Sequence, residues 1–263
     1  MQNKTLPSEA ILKGLCTQVM GQTAVYLPAV DSTNTFCKEH ADLPHGTVCY
    51  TDWQQAGRGR MGRNWSCANG EALAMTLVLD AVSQPALLPL LAGLAVTNAL
   101  EGLTGEPFWL KWPNDSICKD RKVCGILCES FFCDSGQKVL IGIGINLTQT
   151  AESFARLQLP HAASLKMLTG KPFLFGETAA AVLNAFEPLY ESYCRDGFSA
   201  VQTNYAARCI NIGRQVRVIG GNTETIGTAI GIGEDGSLQV QTDAGLQSLI
   251  AGEVSVRGLY GYV

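Results

Sequence analysis

Histidine is scarce in this chain: there are three in 263 residues, at His40, His45 and His161. Their spacing fits no metal-ligand pattern and no G-x-S-x-G elbow occurs, so a histidine-built metal centre or a serine hydrolase triad is unsupported. A Walker A loop is missing too, because Gly170-Lys171 runs into Pro172. Charge is sparse at 16% of residues, with 19 lysines and arginines against 23 aspartates and glutamates. The net charge of −4 argues against a general nucleic-acid binder, so any anion site has to be local. No apolar run reads as a membrane span of ~20 residues. The start, MQNKTLPSEAILKGL, lacks the basic opening and apolar centre of a signal peptide. No internal repeat or low-complexity segment is present.

Apolar residues are plentiful, at 46%, enough for one domain of about 200 residues and a smaller one. The ten cysteines are scattered through apolar runs and read as reduced thiols packed as small hydrophobes, which makes a cytoplasmic setting the expectation. Cys118, Cys124, Cys128 and Cys133 do not make a zinc site. Cys124 and Cys128 share a strand, where four residues span ~13 Å, and sulfurs ~2.3 Å from one zinc cannot be that far apart.

The hydrophobic pattern predicts helices over 8–20, with Ser8 as N-cap, and over 33–39, 86–103, 165–169 and 177–196, the last bent or interrupted at Pro188. Strands are predicted at 25–27, 47–53, 73–79, 108–112, 116–118, 123–132 and 139–147. A composition shift near Arg208 suggests a catalytic domain over 1–207 and a small module over 208–263. Its short β-prone runs between Gly220-Gly221-Asn222, Glu234-Asp235-Gly236 and Asp243-Ala244-Gly245 follow hairpin grammar, which predicts a small antiparallel barrel.

The most informative stretch is Gln54-Gln55-Ala56-Gly57-Arg58-Gly59-Arg60-Met61-Gly62-Arg63-Asn64-Trp65. It contains G-x-G-x-x-G, but a dinucleotide turn must lead into a helix. Residues 63–70 are poor helix material and precede a strand. A solvated basic turn is the plainer alternative. Its company favours a site: Asp31-Ser32-Thr33-Asn34 at a helix start with donors free for a ligand, Lys111-Trp112-Pro113-Asn114-Asp115 after a strand, Arg121-Lys122 at a turn, and Asn146 ending a strand. Each has a bland reading alone. Together, at strand ends and loops, they fit one preorganised site on a sheet.

These pieces, with RKVCGIL at 121–127, GIGINL at 142–147 and GEVSVR at 252–257, resemble the biotin–protein ligases from about residue 30 to the end. The resemblance implies an α+β fold: a mixed, mainly antiparallel sheet with helices, like class II aminoacyl-tRNA synthetases, plus the small C-terminal β-barrel. It implies ATP with magnesium as substrate complex and biotin as the acid activated to biotinyl-5′-AMP. Biotin then passes to a lysine of the biotin carboxyl carrier protein of acetyl-CoA carboxylase or a related carboxylase. Carried over by motif, Ser32, Thr33, Asn34 and Gln54 hold biotin's ureido ring. Gly57, Arg58, Gly59 and Arg60 cover its carboxylate and the phosphates. Lys122 works at the carboxylate and α-phosphate. Lys111, Asn114 and Asp115 support phosphate, magnesium (near Asp115) or the incoming lysine. Asn146 contacts adenine, and Trp65 packs over the adenylate. No side-chain metal cluster, membrane or nucleic-acid partner is implied, and the chain is expected as a monomer or homodimer. Some family members are also DNA-binding repressors, but about 30 residues precede Asp31, too few for a helix-turn-helix module, so a dedicated ligase is expected. A lipoate or octanoyl ligase of the same fold and a non-catalytic biotin sensor remain as alternatives.

Overall fold

The computed structural model describes residues 7–65, 68–134, 136–220, 223–251, 255–258 and 262. Residues 252–254 of the last motif lie outside them. Among the described residues, fourteen strands form three sheets. The largest contains β1 (Ala24–Tyr26), β2 (Val48–Thr51), β5 (Ala72–Asp80), β6 (Trp109–Lys111), β7 (Asp115–Cys118), β8 (Arg121–Cys133) and β9 (Gly136–Asn146), in the order β1-β2-β5-β9-β8-β7-β6. Only the β1–β2 pair is parallel. β3 (Gly57–Arg58) and β4 (Asn64–Trp65) pair with each other. The small antiparallel module is a five-stranded sheet of β10 (Gln215–Gly220), β11 (Thr223–Ile232), β12 (Leu238–Thr242), β13 (Gly245–Leu249) and β14 (Ser255–Gly258), ordered β13-β12-β11-β10-β14.

Among the described residues the α-helices are α1 (Thr33–Glu39), α2 (Leu88–Thr104), α3 (Ala151–Arg156), α4 (Leu165–Thr169), α5 (Phe175–Asp196) and α6 (Ser199–Arg208). Helix α2 stops at Gly105, whose left-handed φ of 73° lets its N–H reach Glu101 O. By length and composition Pro85–Thr104 is apolar enough to cross a membrane, contrary to the sequence reading, yet 67% of that apolar stretch is buried between the sheet and α5. It is the core helix. Pro188 does not interrupt α5, which runs unbroken through it.

The predicted helix over 8–20 is absent: only Ser8–Ala10 forms a single 3-10 turn. Side chains of α5 explain why. The Glu187 carboxylate accepts from the N–H groups of Gln18, Val19 and Met20 at 2.6, 2.7 and 2.9 Å. The Asn184 amide takes the Cys16 N–H and donates to Gly14 O, both at 2.8 Å. Backbone groups satisfied by a neighbouring helix need no helix of their own.

Strand alternation separates core from site. On β9, Val139, Ile141, Ile143 and Ile145 join the main core beneath α2, whereas Gly142, Gly144 and Asn146 line a cavity on the sheet's other face. β5 repeats the rule: Leu73, Met75, Leu77 and Leu79 enter the core, while Thr76 points to α1 and bonds its residues. The hydrophobic face thus fixes the register, and the register delivers the floor of the site.

Candidate active site

A cavity of about 480 Å³ lies on this floor. Of the residues predicted from sequence, Ser32, Thr33, Asn34, Gln54, Arg58, Gly59, Arg60, Trp65, Lys111, Asn114, Asp115, Lys122 and Asn146 all line it. Gly57 does not; it pairs with Trp65 at the base of the β3–β4 hairpin. The glycine–arginine stretch is therefore a hairpin, with a 3-10 turn at Arg60–Gly62, and no helix follows its glycines. Met61 at the tip has φ 56°, the left-handed region that a methionine seldom adopts.

The floor has three stations, set by the register of β9 with β8, in which Leu127 pairs with Gly142 and Gly125 with Gly144. Alternate residues on a strand are ~6.8 Å apart. At Gly142 sits a polar network. Ser32 Oγ accepts from the Thr35 N–H at 3.4 Å and Gln54 Oε1 from the Thr33 N–H at 2.9 Å, so two helix-start donors expected to be free are already occupied. Thr76 Oγ1 lies 2.7 Å from Thr33 Oγ1 and 2.6 Å from Asn34 Oδ1. Asn34 Nδ2 donates to Glu129 Oε2 at 2.7 Å, and Lys38 Nζ sits 2.6 Å from Glu129 Oε1. Burial alone would raise the Glu129 carboxyl, but the Lys38 and Asn34 hydrogen bonds hold it below the usual range. Glu129 and Lys38 were not foreseen; no sequence signal ties them to Asn34.

At Gly144 lies the Trp65 indole. A Cβ on Gly144 would fall 2.5 Å from Trp65 Cε2, and one on Gly142 would fall 2.6 Å from Asn34 Oδ1, so both positions need glycine for close approach. Trp65 Nε1 is buried without a hydrogen-bond partner among the described residues. Beside it, Lys122 Nζ is 5.8 Å from the indole centre and 2.6 Å from Asp115 Oδ1. The Lys122 backbone is fixed by the 157–163 loop: its N–H donates to His161 O at 2.7 Å, and its carbonyl accepts from Ala163 N–H at 2.9 Å.

Asp115 and Lys111 are 8% and 5% exposed, so this is a buried charge cluster. Burial would raise the Asp115 carboxyl; Lys122 and Lys111 outweigh it and keep the group below its ordinary value. Burial pushes the Lys111 ammonium down to about 8, with Asp115 opposing. Arg60 Nη1 donates to Asn114 Oδ1 at 3.0 Å, and Asn114 Nδ2 to Ile126 O at 2.9 Å. Arg60 Nη2 is buried with no partner among the described residues, a donor suited to an anion. Both oxygens of Asp115 have partners, Lys122 and Tyr262, so a cation at this carboxylate would have to displace one of them. No group of three or more His, Cys, Asp or Glu side chains able to hold a metal occurs among the described residues.

At the third station, Asn146 Nδ2 donates to Ala163 O at 3.0 Å and Oδ1 accepts from Gln149 Nε2 at 3.1 Å. One amide N–H and one lone pair stay open for a ligand. The cavity also includes Arg63, His161, Arg257 and Tyr262, to which the sequence reading gave no role. Arg257 could have been found inside GEVSVR.

A glycine-floored antiparallel sheet with buried Lys111 and an unpartnered Arg60 donor above it defines a cavity whose chemistry suits anionic groups. The model described as "Biotin/lipoate A/B protein ligase family" matches residues 26–146, and "Biotin protein ligase C terminal domain" matches 212–257. The chain is 32% identical over 257 residues to the "Bifunctional ligase/repressor BirA" of Bacillus subtilis, covering 95% of this chain and 79% of that protein. It is 32% identical to the "Biotin--[acetyl-CoA-carboxylase] ligase" of Paracoccus denitrificans, over 88% of this chain and 100% of that one. The solved biotin protein ligase from Aquifex aeolicus in complex with biotin and ATP superposes with a TM-score of 0.80 at 30% identity, covering 90% and 99% of the two chains. This chain belongs to the biotin protein ligase family.

Proposed function

We infer that the chain condenses biotin with ATP to biotinyl-5′-AMP and pyrophosphate, then passes biotin to a lysine of the biotin carboxyl carrier protein of acetyl-CoA carboxylase. The order of groups along the floor carries this reading: a polar network whose cavity-lining members Ser32, Thr33, Asn34 and Gln54 are uncharged, glycines under an indole, lysine–carboxylate cluster, asparagine. It matches a ligand with a neutral polar head, an apolar chain and a carboxylate that must meet a nucleotide phosphate. In this reading Ser32, Thr33, Asn34 and Gln54 hold the ureido head, and Trp65 packs over the adenylate where the biotin chain meets it. Lys122 and Arg60 face the carboxylate and α-phosphate, with exposed Arg58 joining them. A carboxylate oxygen attacks the α-phosphorus and pyrophosphate leaves. In the second step the acceptor's neutral amine attacks the acyl carbon, AMP leaves, and the amine gives up a proton. Two anions meet in the first step, so fixed positive charge lowers the barrier and alignment supplies the rest. Magnesium arrives on the ATP phosphates, and the reaction is placed in the cytoplasm, where the acceptor is made. Labelled biotin, ATP and magnesium should transfer label to a carboxyl carrier domain. Absence of label, or equal labelling by lipoate, would refute the reading.

Two further outcomes are expected. Lys111 assists phosphate binding only while protonated, so kcat/KM for ATP should be retained below pH 8 and fall as pH rises through about 8. Lys111→Arg should remove that alkaline fall; an unchanged fall would assign it to another group. The sign for stability is opposite. Above about 8 the unfolded chain, with its lysine at 10.5, binds more protons than the folded one, so this residue's contribution rises with pH across that window. Gly144→Ala forces its methyl into Trp65; overpacking of 1–3 kcal/mol should weaken biotin binding roughly tenfold by calorimetry. Unaltered affinity would show that the indole moves freely.

A further inference from the structure

Residues 111–115 are anchored on the C-terminal part of the chain at four points. Lys111 Nζ donates to Val256 O at 3.1 Å. The Trp112 backbone N–H donates to Asn211 Oδ1 at 2.8 Å, and its indole Nε1–H to Gly236 O at 3.0 Å. The fourth contact is the Tyr262 hydroxyl, which donates to Asp115 Oδ2. The Tyr262 ring is also surrounded: Lys111 Nζ lies 4.2 Å from its centre, the Arg257 guanidinium 5.9 Å, and the His161 ring stacks at 5.7 Å with planes 18° apart. Trp112 is an anchor, 1% exposed.

We propose that Tyr262 is a positioning residue of the active site, fixing Asp115 through its hydroxyl and Lys111 through its ring, and through Asp115 the Lys122 ammonium. The proposal rests on the ligase reading above. A carboxylate held at one oxygen can rotate about its last torsion, and any partner on that oxygen moves with it. Asp115 is held at both, by Lys122 from β8 and by Tyr262 from the C-terminal segment. Lys111 has a parallel constraint, a carbonyl acceptor at Val256 and the negative face of the phenol ring. Burial beside the Asp115 carboxylate pushes the Tyr262 phenol far up, so it remains a donor wherever the protein is folded. The small sheet is thereby part of the site: docking it sets the lysine–carboxylate geometry that the first chemical step uses.

The test compares the full-length wild type with Tyr262→Phe, which keeps the ring and deletes the donor. Pyrophosphate release is measured against biotin concentration, with thermal melting to count folded molecules. Loss of a hydrogen bond to a charged group should lower kcat per folded molecule about tenfold. KM for biotin should stay within about twofold, because the Thr33–Asn34–Gln54 network is untouched. Tyr262→Leu, which also removes the ring beside Lys111, should lose more. A lower melting temperature with unchanged kcat per folded molecule, or a raised KM with unchanged kcat, overturns the proposal. A wild type that releases no pyrophosphate overturns the ligase reading itself, and this inference with it.

Discussion

Lys122→Ala is expected to slow pyrophosphate release about 10²–10³-fold, the usual loss when one preorganised charge or donor at a developing anion is removed. Lys122 leaves β8 at a backbone position locked from both sides by His161 O and the Ala163 N–H, and its ammonium is held 2.6 Å from Asp115 Oδ1 beside Trp65. Held there, it lines the cavity that an incoming carboxylate would enter. Truncation leaves the backbone bonds intact, so the fold should survive. Stability should fall by less than the 3–5 kcal/mol typical of breaking a fully buried pair, since Lys122 is 28% exposed in its side chain and Asp115 keeps Lys111 and Tyr262. Biotin affinity by calorimetry should drop far less than kcat. Lys122→Arg should recover part of the rate, because charge returns without the compact ammonium. Release at the wild-type rate from the alanine variant would remove Lys122 from the chemistry.

Much of this site could be read from sequence because its residues sit where local rules are strong. The alternation of β9 declares itself in GIGINL: isoleucines belong to the core, and the glycines and Asn146 to the other face. Thr33 and Asn34 sit at a helix start capped by Ser32, and the glycine–arginine stretch could be refused as a dinucleotide turn for want of a helix. The residues that escaped depend on distant partners. Tyr262 meets Asp115 across 147 positions, and Lys111 meets Val256 across 145. Glu129 meets Asn34 across 95. No periodicity or spacing encodes such pairs. The stretch over 8–20 failed for the same reason in reverse, since its apolar spacing suits a helix but Glu187 and Asn184 bond its backbone in another shape. Tertiary partners overrode local pattern.

Asp115→Asn should cost as much activity as the loss of Lys122, through charge alone. The substitution is nearly isosteric, and an amide can still accept from Lys122 and meet the Tyr262 hydroxyl, so the hydrogen-bonded shape is kept. What disappears is the anion between two lysines. Burial already lowers the Lys111 ammonium to about 8, and Asp115 is the charge that opposes the fall. Without it, Lys111 is expected to shed its proton at a lower pH than in the wild type, and the site that must receive ATP loses a cation. The alkaline fall in kcat/KM for ATP should therefore move from about pH 8 to a lower pH, with rates at pH 7.5 reduced about 10²-fold. Stability below pH 8 should fall too, because Lys111 there either stays a buried ammonium without its counter-charge or gives up its proton against the solution pH, and melting at pH 6 should drop by more than melting at pH 9. An alkaline fall that stays near 8 in Asp115→Asn would mean that the carboxylate does not govern Lys111. Equal melting losses at both pH values would mean that the penalty comes from packing, and the buried anion would then no longer account for how Lys111 keeps its proton at this depth.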